Sequence, residues 1–168
     1  PQLRRSPGVK VGVFDSFGNL MSLFFNVFQT PFNNPKVRMA VLHAVNQQDF
    51  VDAVLGELAK ELGATGVGLF PPRSPYASNA GMEKLAKNGD MAAAKKMLAE
   101  AGYKGEKVLL LSPSDFPSIR QESLVAEAMF KALGMNVELA SMDWGTMIAR
   151  RNGNAELPEK GGWSSYCT

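Results

Sequence analysis

The sequence predicts an α/β fold, with a mixed sheet flanked by helices, and the segment 107–141 carries the observations that predict it. A short uninterrupted apolar run, Val108–Leu111, is typical of a strand that is covered on both faces. Two more apolar patterns follow this run, the first with helical spacing and the second with strand spacing. A strand, a helix and a strand joined by tight connections form a βαβ unit, whose crossover is expected to be right-handed.

Residue spacing places the helix and the second strand of this unit. Pro117 suits the first helical position, where its missing N–H has no intrahelical partner to lose. Gly134 suits a left-handed cap at the end of the same helix. One buried helical stripe is predicted from Leu124, Val125, Ala128, Met129, Ala132 and Leu133. The next strand is predicted because Met135, Val137 and Leu139 alternate with Asn136, Glu138 and Ala140.

The N-terminal third predicts two strands and a first helix. Alternation of Val9, Val11 and Val13 indicates a strand, and Leu20–Phe25 indicates a second one. Asn34 is a suitable N-cap for a helix that begins at Pro35. The buried stripe of that helix is predicted to be Val37, Ala40, Val41, Ala44 and Val45.

The middle of the chain predicts two further helices separated by a long loop. One helix runs from Gln48 to Leu55, or on to Leu62. The segment 63–80 is rich in Gly, Pro and Ser and predicts a surface loop, and Met82–Lys87 predicts a helical turn. A second helix is predicted over Met91–Ala101, with Asp90 as its N-cap and Gly102 after it.

The C-terminal part predicts a short helix, a loop and a last strand. Asp143 is expected to cap a helix through Arg150. A polar loop over Asn152–Gly162 and a strand over Trp163–Thr168 follow. Because the chain does not begin with Met and ends on this strand, we expect it to be an excised piece of a longer protein, with residues 1–168 forming one domain.

Composition excludes several classes of protein. The chain has 168 residues, a net charge of +2 and scattered basic residues, so no nucleic-acid partner is expected. The run Leu20–Phe28 is too short to span a bilayer. His43, the sole histidine, lies in a predicted helix without a metal-ligand pattern, and Cys167, the sole cysteine, lacks a nucleophile motif. No catalytic set, metal site or cofactor motif is therefore predicted, although carboxylate chemistry through Asp115 and Asp143 stays open.

The best candidate for a binding site is the turn between the first strand and the helix of the βαβ unit. Ligands of open α/β sheets lie outside the carboxyl ends of the strands, often near a helix N-terminus. This rule places residues 112–120 at the mouth of a site, although periodicity alone favours a plain loop that joins a core strand to a core helix. Arg120 stands in the first helical turn, where the helix dipole disfavours a cation. It therefore indicates either a surface salt bridge or an anion-binding role, and Trp163 indicates either a core position or a cleft wall.

Four segments in order resemble the family 5 extracellular solute-binding proteins, the peptide- and nickel-type receptors of ABC importers. They are PFNNPKVRMAVLHAVNQQDFVDAVLG (31–56), DMAAAKKMLAEAGYKGE (90–106), VAEAMFKALGMNVELASMDWGTMIAR (125–150) and GGWSSYCT (161–168). They are spread in this order over the part of the chain from Asn26 to Thr168. The strand after Trp163 carries no acidic residue where dipeptide-type members have one, which argues against an anchor for a free α-amino group.

The resemblance implies a type II periplasmic-binding-protein lobe, the second of two lobes that close around a small-molecule or peptide ligand. An ABC permease is the implied partner, the location is periplasmic or extracellular, and contact with the membrane would come only through the permease or a lipid anchor outside this segment. The chain is not expected to be an enzyme. An effector-sensing domain of a bacterial transcription regulator is the alternative function. The implied ligand-binding residues are Ser114, Asp115, Phe116, Arg120, Trp163, Ser164, Ser165 and Tyr166.

Overall fold

The computed structural model describes residues 3–85, 88–153 and 156–168, and at its centre lies a mixed sheet of four strands. In chain order these are β1 (Leu23–Phe25), β2 (Lys107–Pro113), β3 (Asn136–Met142) and β4 (Ser165–Cys167). Their order across the sheet is β1-β4-β2-β3. Strand β2 is parallel to both of its neighbours, and β1 is antiparallel to β4. The α/β class and the βαβ unit at 107–141 are confirmed.

Helices flank this sheet within the described residues. They are α1 (Pro35–Ala44), α2 (Gln47–Leu55), α3 (Ala59–Leu62), α4 (Met91–Glu100), α5 (Pro117–Leu133) and α6 (Trp144–Arg151), with short 3-10 turns at Leu3–Arg5, Gly56–Leu58, Met82–Lys84 and Pro158–Lys160. None of these helices has the length and apolar character that crossing a membrane requires.

Side-chain caps fix where three of the predicted helices begin. The Oδ1 atoms of Asn34, Asp90 and Asp143 accept hydrogen bonds at 2.9 Å from backbone N–H groups in the first turns of α1, α4 and α6. Each bond satisfies a donor that has no partner inside its helix. The three predicted caps are confirmed, and so is the left-handed Gly134 at the end of α5, with φ of 93°.

The two faces of the sheet carry separate apolar clusters because side chains of β2 alternate between them. Val108 and Leu110 face α1, α4 and α5 in the larger cluster, together with Phe32 and Phe130. On the other face lies a smaller cluster of Leu109, Leu111, Met147, Trp163 and Tyr166, with Ala140, Met142 and Trp144 packed against it.

The buried face of α5 differs from the predicted stripe. Met129 and Leu133 are buried as predicted, but Leu124, Ala128 and Ala132 are exposed and Val125 is half-buried. The residues that α5 buries are Ile119, Glu122, Ser123, Ala126, Met129, Phe130 and Leu133. The prediction was wrong because two polar residues, Glu122 and Ser123, occupy the buried face and shift the apparent apolar period. The Ser123 hydroxyl is satisfied by donating to Ile119 O at 2.9 Å.

The predicted N-terminal strand over residues 9–13 is also wrong, since these residues are exposed and form no strand. Alternating valines form a strand only where a neighbouring strand satisfies the backbone, and no described strand lies beside them. The strand predicted at Leu20–Phe25 is limited to β1. The loop over 63–80 contains no helix or strand, as predicted. Residues 86 and 87 of the predicted turn and residues 154 and 155 of the polar loop lie outside the described residues.

Burial of Glu122 predicts a dependence of stability on pH. The side chain is 4% exposed, and desolvation raises the pKa of its carboxyl from 4.5 to about 7. Folding favours the neutral form of this carboxyl. The contribution of Glu122 to the free energy of unfolding is therefore fully present below pH 4.5 and is lost as the pH rises through about 7. We expect Glu122→Gln to raise the free energy of unfolding by about 1–3 kcal/mol at pH 8.

The measurement is urea unfolding of both proteins at pH 4, 6 and 8. The matched control is Glu127→Gln on the same helix, because the Glu127 carboxylate accepts from Lys131 Nζ at 2.7 Å near the surface. Its substitution is expected to change stability by less than about 1 kcal/mol. Parallel pH profiles for the Glu122 variant and the unsubstituted chain would contradict the assignment.

Candidate ligand-binding site

The loops that follow β2 and β3 are bonded to each other at the carboxyl edge of the sheet. Ser114 N–H donates to Met142 O at 2.7 Å. The Asp115 carboxylate accepts from Trp144 N–H at 2.8 Å, so the first loop supplies a hydrogen-bond acceptor to the first residue of α6. Asp143 caps the same helix, and hydrogen bonds from the Thr146 hydroxyl and backbone lower the pKa of its carboxyl. Hydrogen bonds therefore join the two loops at this edge of the sheet.

Two aromatic rings lie at this junction. Phe116 is 45% exposed, and its ring centroid is 5.5 Å from that of Trp144, with an angle of 44° between the planes. Trp144 is half-buried at the first position of α6. Sequence reasoning did not include Trp144 among the site residues. The available signal was its position directly after a capping aspartate at the carboxyl end of a predicted strand.

A second aromatic group lies on β1 and at the start of β4. The Tyr166 ring stacks on Phe24 with centroids 5.1 Å apart and planes within 8° of parallel. The Trp163 ring meets Tyr166 edge-on at 5.0 Å, and its indole N–H donates to Arg151 O at 2.8 Å. The guanidinium carbon of Arg151 lies 5.5 Å from the centre of the Tyr166 ring. Sequence reasoning also missed Phe24, because its side chain points away from the core face of β1.

Trp144 connects the two groups. It contacts Phe116 on one side, and on the other it packs against the apolar cluster that contains Trp163 and Tyr166. We call the resulting set the aromatic row: Phe24, Tyr166, Trp163, Trp144 and Phe116. The structure thus connects the predicted residues Phe116, Trp163 and Tyr166 through Trp144, which also packs against the larger cluster. Phe116 and Phe24 are 45% and 44% exposed and provide apolar contact area for a solute, whereas Trp163 and Tyr166 are buried.

The hydroxyl groups of Ser164 and Ser165 form hydrogen bonds with backbone groups of neighbouring strands. Both are buried, with 1% and 0% exposure. The Ser164 hydroxyl accepts from Leu109 N–H at 3.0 Å, and the Ser165 hydroxyl donates to Phe24 O at 2.7 Å. These bonds hold β4 between β2 and β1 and so position Trp163 and Tyr166. Direct contact of either serine with a ligand stays a prediction.

Arg120 is exposed in the first turn of α5, at the Phe116 end of the aromatic row. Its backbone N–H donates to Phe116 O at 3.0 Å. No ion pair involves its guanidinium among the residues that the structure describes. The salt bridge that was one interpretation of this residue is therefore not present within that part of the chain, and its anion-binding role stays a prediction.

The two residues considered for metal or nucleophilic chemistry have structural surroundings. The His43 Nδ1 atom lies 3.0 Å from Met39 O, one turn earlier in α1. Cys167 is 1% exposed, and burial, with a smaller effect of the nearby Glu122 carboxylate, raises the pKa of its thiol far above the ordinary value. A thiol in that state is a poor nucleophile. Over residues 3–85, 88–153 and 156–168, no three His, Cys, Asp or Glu side chains form a group able to hold a metal ion.

Comparison with known proteins decides the family. The family model described as bacterial extracellular solute-binding proteins, family 5 middle, matches residues 1–166. The chain belongs to this family. The resemblance predicted from four sequence segments is confirmed.

Relatives of this chain are named as binding proteins. A probable peptide ABC transporter periplasmic-binding protein, y4tO of Sinorhizobium fredii, is 32% identical over 168 residues, which are all of this chain and 31% of the relative. The glutathione-binding protein GsiB of Salmonella choleraesuis is 31% identical over 147 residues, 83% of this chain and 27% of the relative. The chain thus spans less than a third of the length of these relatives.

A solved structure gives the same fold. The crystal structure of a putative peptide-binding protein, AppA from Clostridium difficile, matches with a TM-score of 0.70 at 19% identity, over 88% of this chain and 29% of the other. The type II periplasmic-binding-protein fold predicted for the chain is therefore confirmed. None of the three names indicates a transcription regulator, so the alternative function receives no support.

Proposed function

We propose that this chain is one lobe, the second, of a two-lobed receptor that delivers a peptide or peptide-like solute to an ABC permease. The family match over residues 1–166 carries this proposal. In it, residues 1–168 fold as a single domain and act in binding, with no catalytic role. The receptor acts in the periplasm or outside the cell, and the name of the S. fredii relative gives a periplasmic location for that protein.

The ligand is proposed to lie along the aromatic row and the turn at Ser114–Phe116. Three features support this location. Trp163 and Tyr166 of the row lie on the face opposite the larger core, the adjoining turn lies beyond the carboxyl ends of two parallel strands, and the uncapped start of α5 lies at the same edge. Ser164 and Ser165 are assigned a positioning role through the bonds that hold β4. The first lobe would supply the opposite wall, since binding sites normally enclose most of a ligand.

Isothermal titration calorimetry of the full-length protein that contains this chain tests the function. Defined mixtures of di-, tri- and tetrapeptides are the probes, and glutathione is a further probe because the Salmonella relative is named for it. Saturable binding of at least one probe is the expected result. The proposal fails if no heat of binding is measured with any of these probes, with any sugar or with any metal chelate.

Arg120 is expected to contribute to binding of anionic peptides. Arg120→Ala should weaken a peptide with an acidic side chain by about 1.5–3 kcal/mol, because a hydrogen bond between charged groups is lost. The same calorimetry measures it, with the glutamine counterpart of each acidic peptide as the neutral ligand. Lys131→Ala at the far end of α5 is the matched control. An equal affinity of Arg120→Ala and unsubstituted protein for acidic peptides would remove Arg120 from the site.

A further inference from the structure

Two adjacent arginines at the end of α6 differ in what their side chains bind. Arg150 donates from Nε to Gly161 O and Gly162 O, at 3.2 and 2.9 Å, and from Nη2 to Pro158 O at 3.1 Å. Its guanidinium is thus used to hold the loop before Trp163. The Arg151 guanidinium makes no hydrogen bond or ion pair among the described residues, and it lies against the Tyr166 ring.

Stacking on a ring leaves the hydrogen-bonding capacity of an arginine available. The guanidinium carbon of Arg151 lies 5.5 Å from the centre of the Tyr166 ring, and a contact with an aromatic ring occupies none of the N–H donors in a hydrogen bond to oxygen. The main chain at the same residue is anchored, because Arg151 O accepts from the Trp163 indole at 2.8 Å. Arg151 therefore presents a half-buried cation at the Tyr166 end of the aromatic row.

The carboxylates at the other end of the row already have partners. Asp115 accepts from Trp144 N–H, and Asp143 accepts from the N–H and hydroxyl of Thr146. Strand β4 itself contains no acidic residue. A cation without a protein counter-ion is stabilised when a ligand brings the opposite charge into an apolar surrounding. A planar guanidinium matches a carboxylate in a two-bond arrangement.

We propose that Arg151, held against Tyr166, is the subsite that binds a carboxylate of the ligand. The inference rests on the proposed function, since it assigns the chemistry of one end of that site. It specifies the solute as a peptide-like molecule with a free carboxylate group placed beside Tyr166.

The experiment uses tri-alanine and tri-alanine amide as probes of the full-length protein. We expect the unsubstituted protein to bind the acid at least ~10-fold more tightly than the amide, as a charged hydrogen bond requires. In Arg151→Gln the preference for the acid over the amide should fall below ~3-fold, because only the acid binds more weakly. Arg151→Lys should restore part of this preference, since lysine keeps the charge but lacks the paired N–H donors of the guanidinium. The carbonyl that accepts from Trp163 is retained in both variants.

Two controls make the outcomes distinct. Thermal unfolding shows whether each variant is folded, and Lys96→Gln, at an exposed position on α4, should leave the ratio unchanged. A ratio that stays at ~10-fold in Arg151→Gln, or an equal loss for acid and amide, would overturn the inference while leaving the proposed function intact. No binding of either probe or of any other peptide to the unsubstituted protein would instead count against the proposed function.

Discussion

Replacing Phe130 by alanine is expected to reduce the free energy of unfolding by about 3–5 kcal/mol, the range for a fully buried phenylalanine. Phe130 is 0% exposed on the sheet side of α5, and its ring lies 5.9 Å from that of Phe32, which is also fully buried. Phe32 in turn packs at 4.5 Å against Phe25 of β1. The cavity left by the substitution would therefore lie where α5, the segment before α1 and the edge strand meet, and these elements have little freedom to close it.

Equilibrium unfolding in urea, followed by far-ultraviolet circular dichroism, measures this effect. Leu124→Ala is the matched control, because it removes a large apolar side chain from the same helix at a position that is 37% exposed. The control is expected to lose no more than about 1 kcal/mol. If both variants lost the same stability, the orientation of α5 described here would be wrong.

Replacing Gly162 by alanine is expected to have the second largest effect. A Cβ atom at this position would overlap Glu156 O, and it would lie 2.6 Å from Glu156 C and 2.8 Å from Leu157 O. These are backbone atoms, so no side-chain rotation relieves the overlap. Gly162 N–H also donates to Leu157 O at 2.9 Å, which closes the loop. The loop must open, at a cost toward the upper end of about 1–3 kcal/mol for overpacking.

The same substitution should weaken ligand binding in the full-length protein, because residue 163 follows directly and carries an indole of the aromatic row. Differential scanning calorimetry gives the change in stability, and titration with the best peptide ligand gives the change in affinity. Gly12→Ala is the control, since a Cβ there has no atom within 4 Å. A Gly162→Ala protein with unchanged melting temperature and affinity would show that the loop adapts without moving Trp163.

Sequence reasoning predicted the parts of the fold that local chemistry determines. The caps at Asn34, Asp90 and Asp143 could be read directly, because each side chain bonds a backbone group within three residues. The βαβ unit was predictable because β2 is apolar on both faces and its connections are short. The parallel pairing of β4 with β2 joins residues 55 apart and has no local signal.

The predictions that were wrong, and the site residues that were missed, also have physical causes. The face that α5 buries includes Glu122, a carboxyl whose pKa is raised to about 7 by a buried environment that sequence does not show. The valines at 9–13 have the right period for a strand but no adjacent described strand to pair with. In the candidate site, Phe116, Trp163 and Tyr166 were predicted, whereas Phe24, Trp144 and Arg151 belong to the site only through contacts made by folding.

The placement of the two indoles has a practical consequence. The chain has two tryptophans, and both belong to the aromatic row, one half-buried and one 6% exposed. All indole emission of this chain therefore originates in the aromatic row, along which a solute is proposed to dock. A change in this emission when a peptide is added is the expected sign of occupancy, and its measurement needs no attached dye.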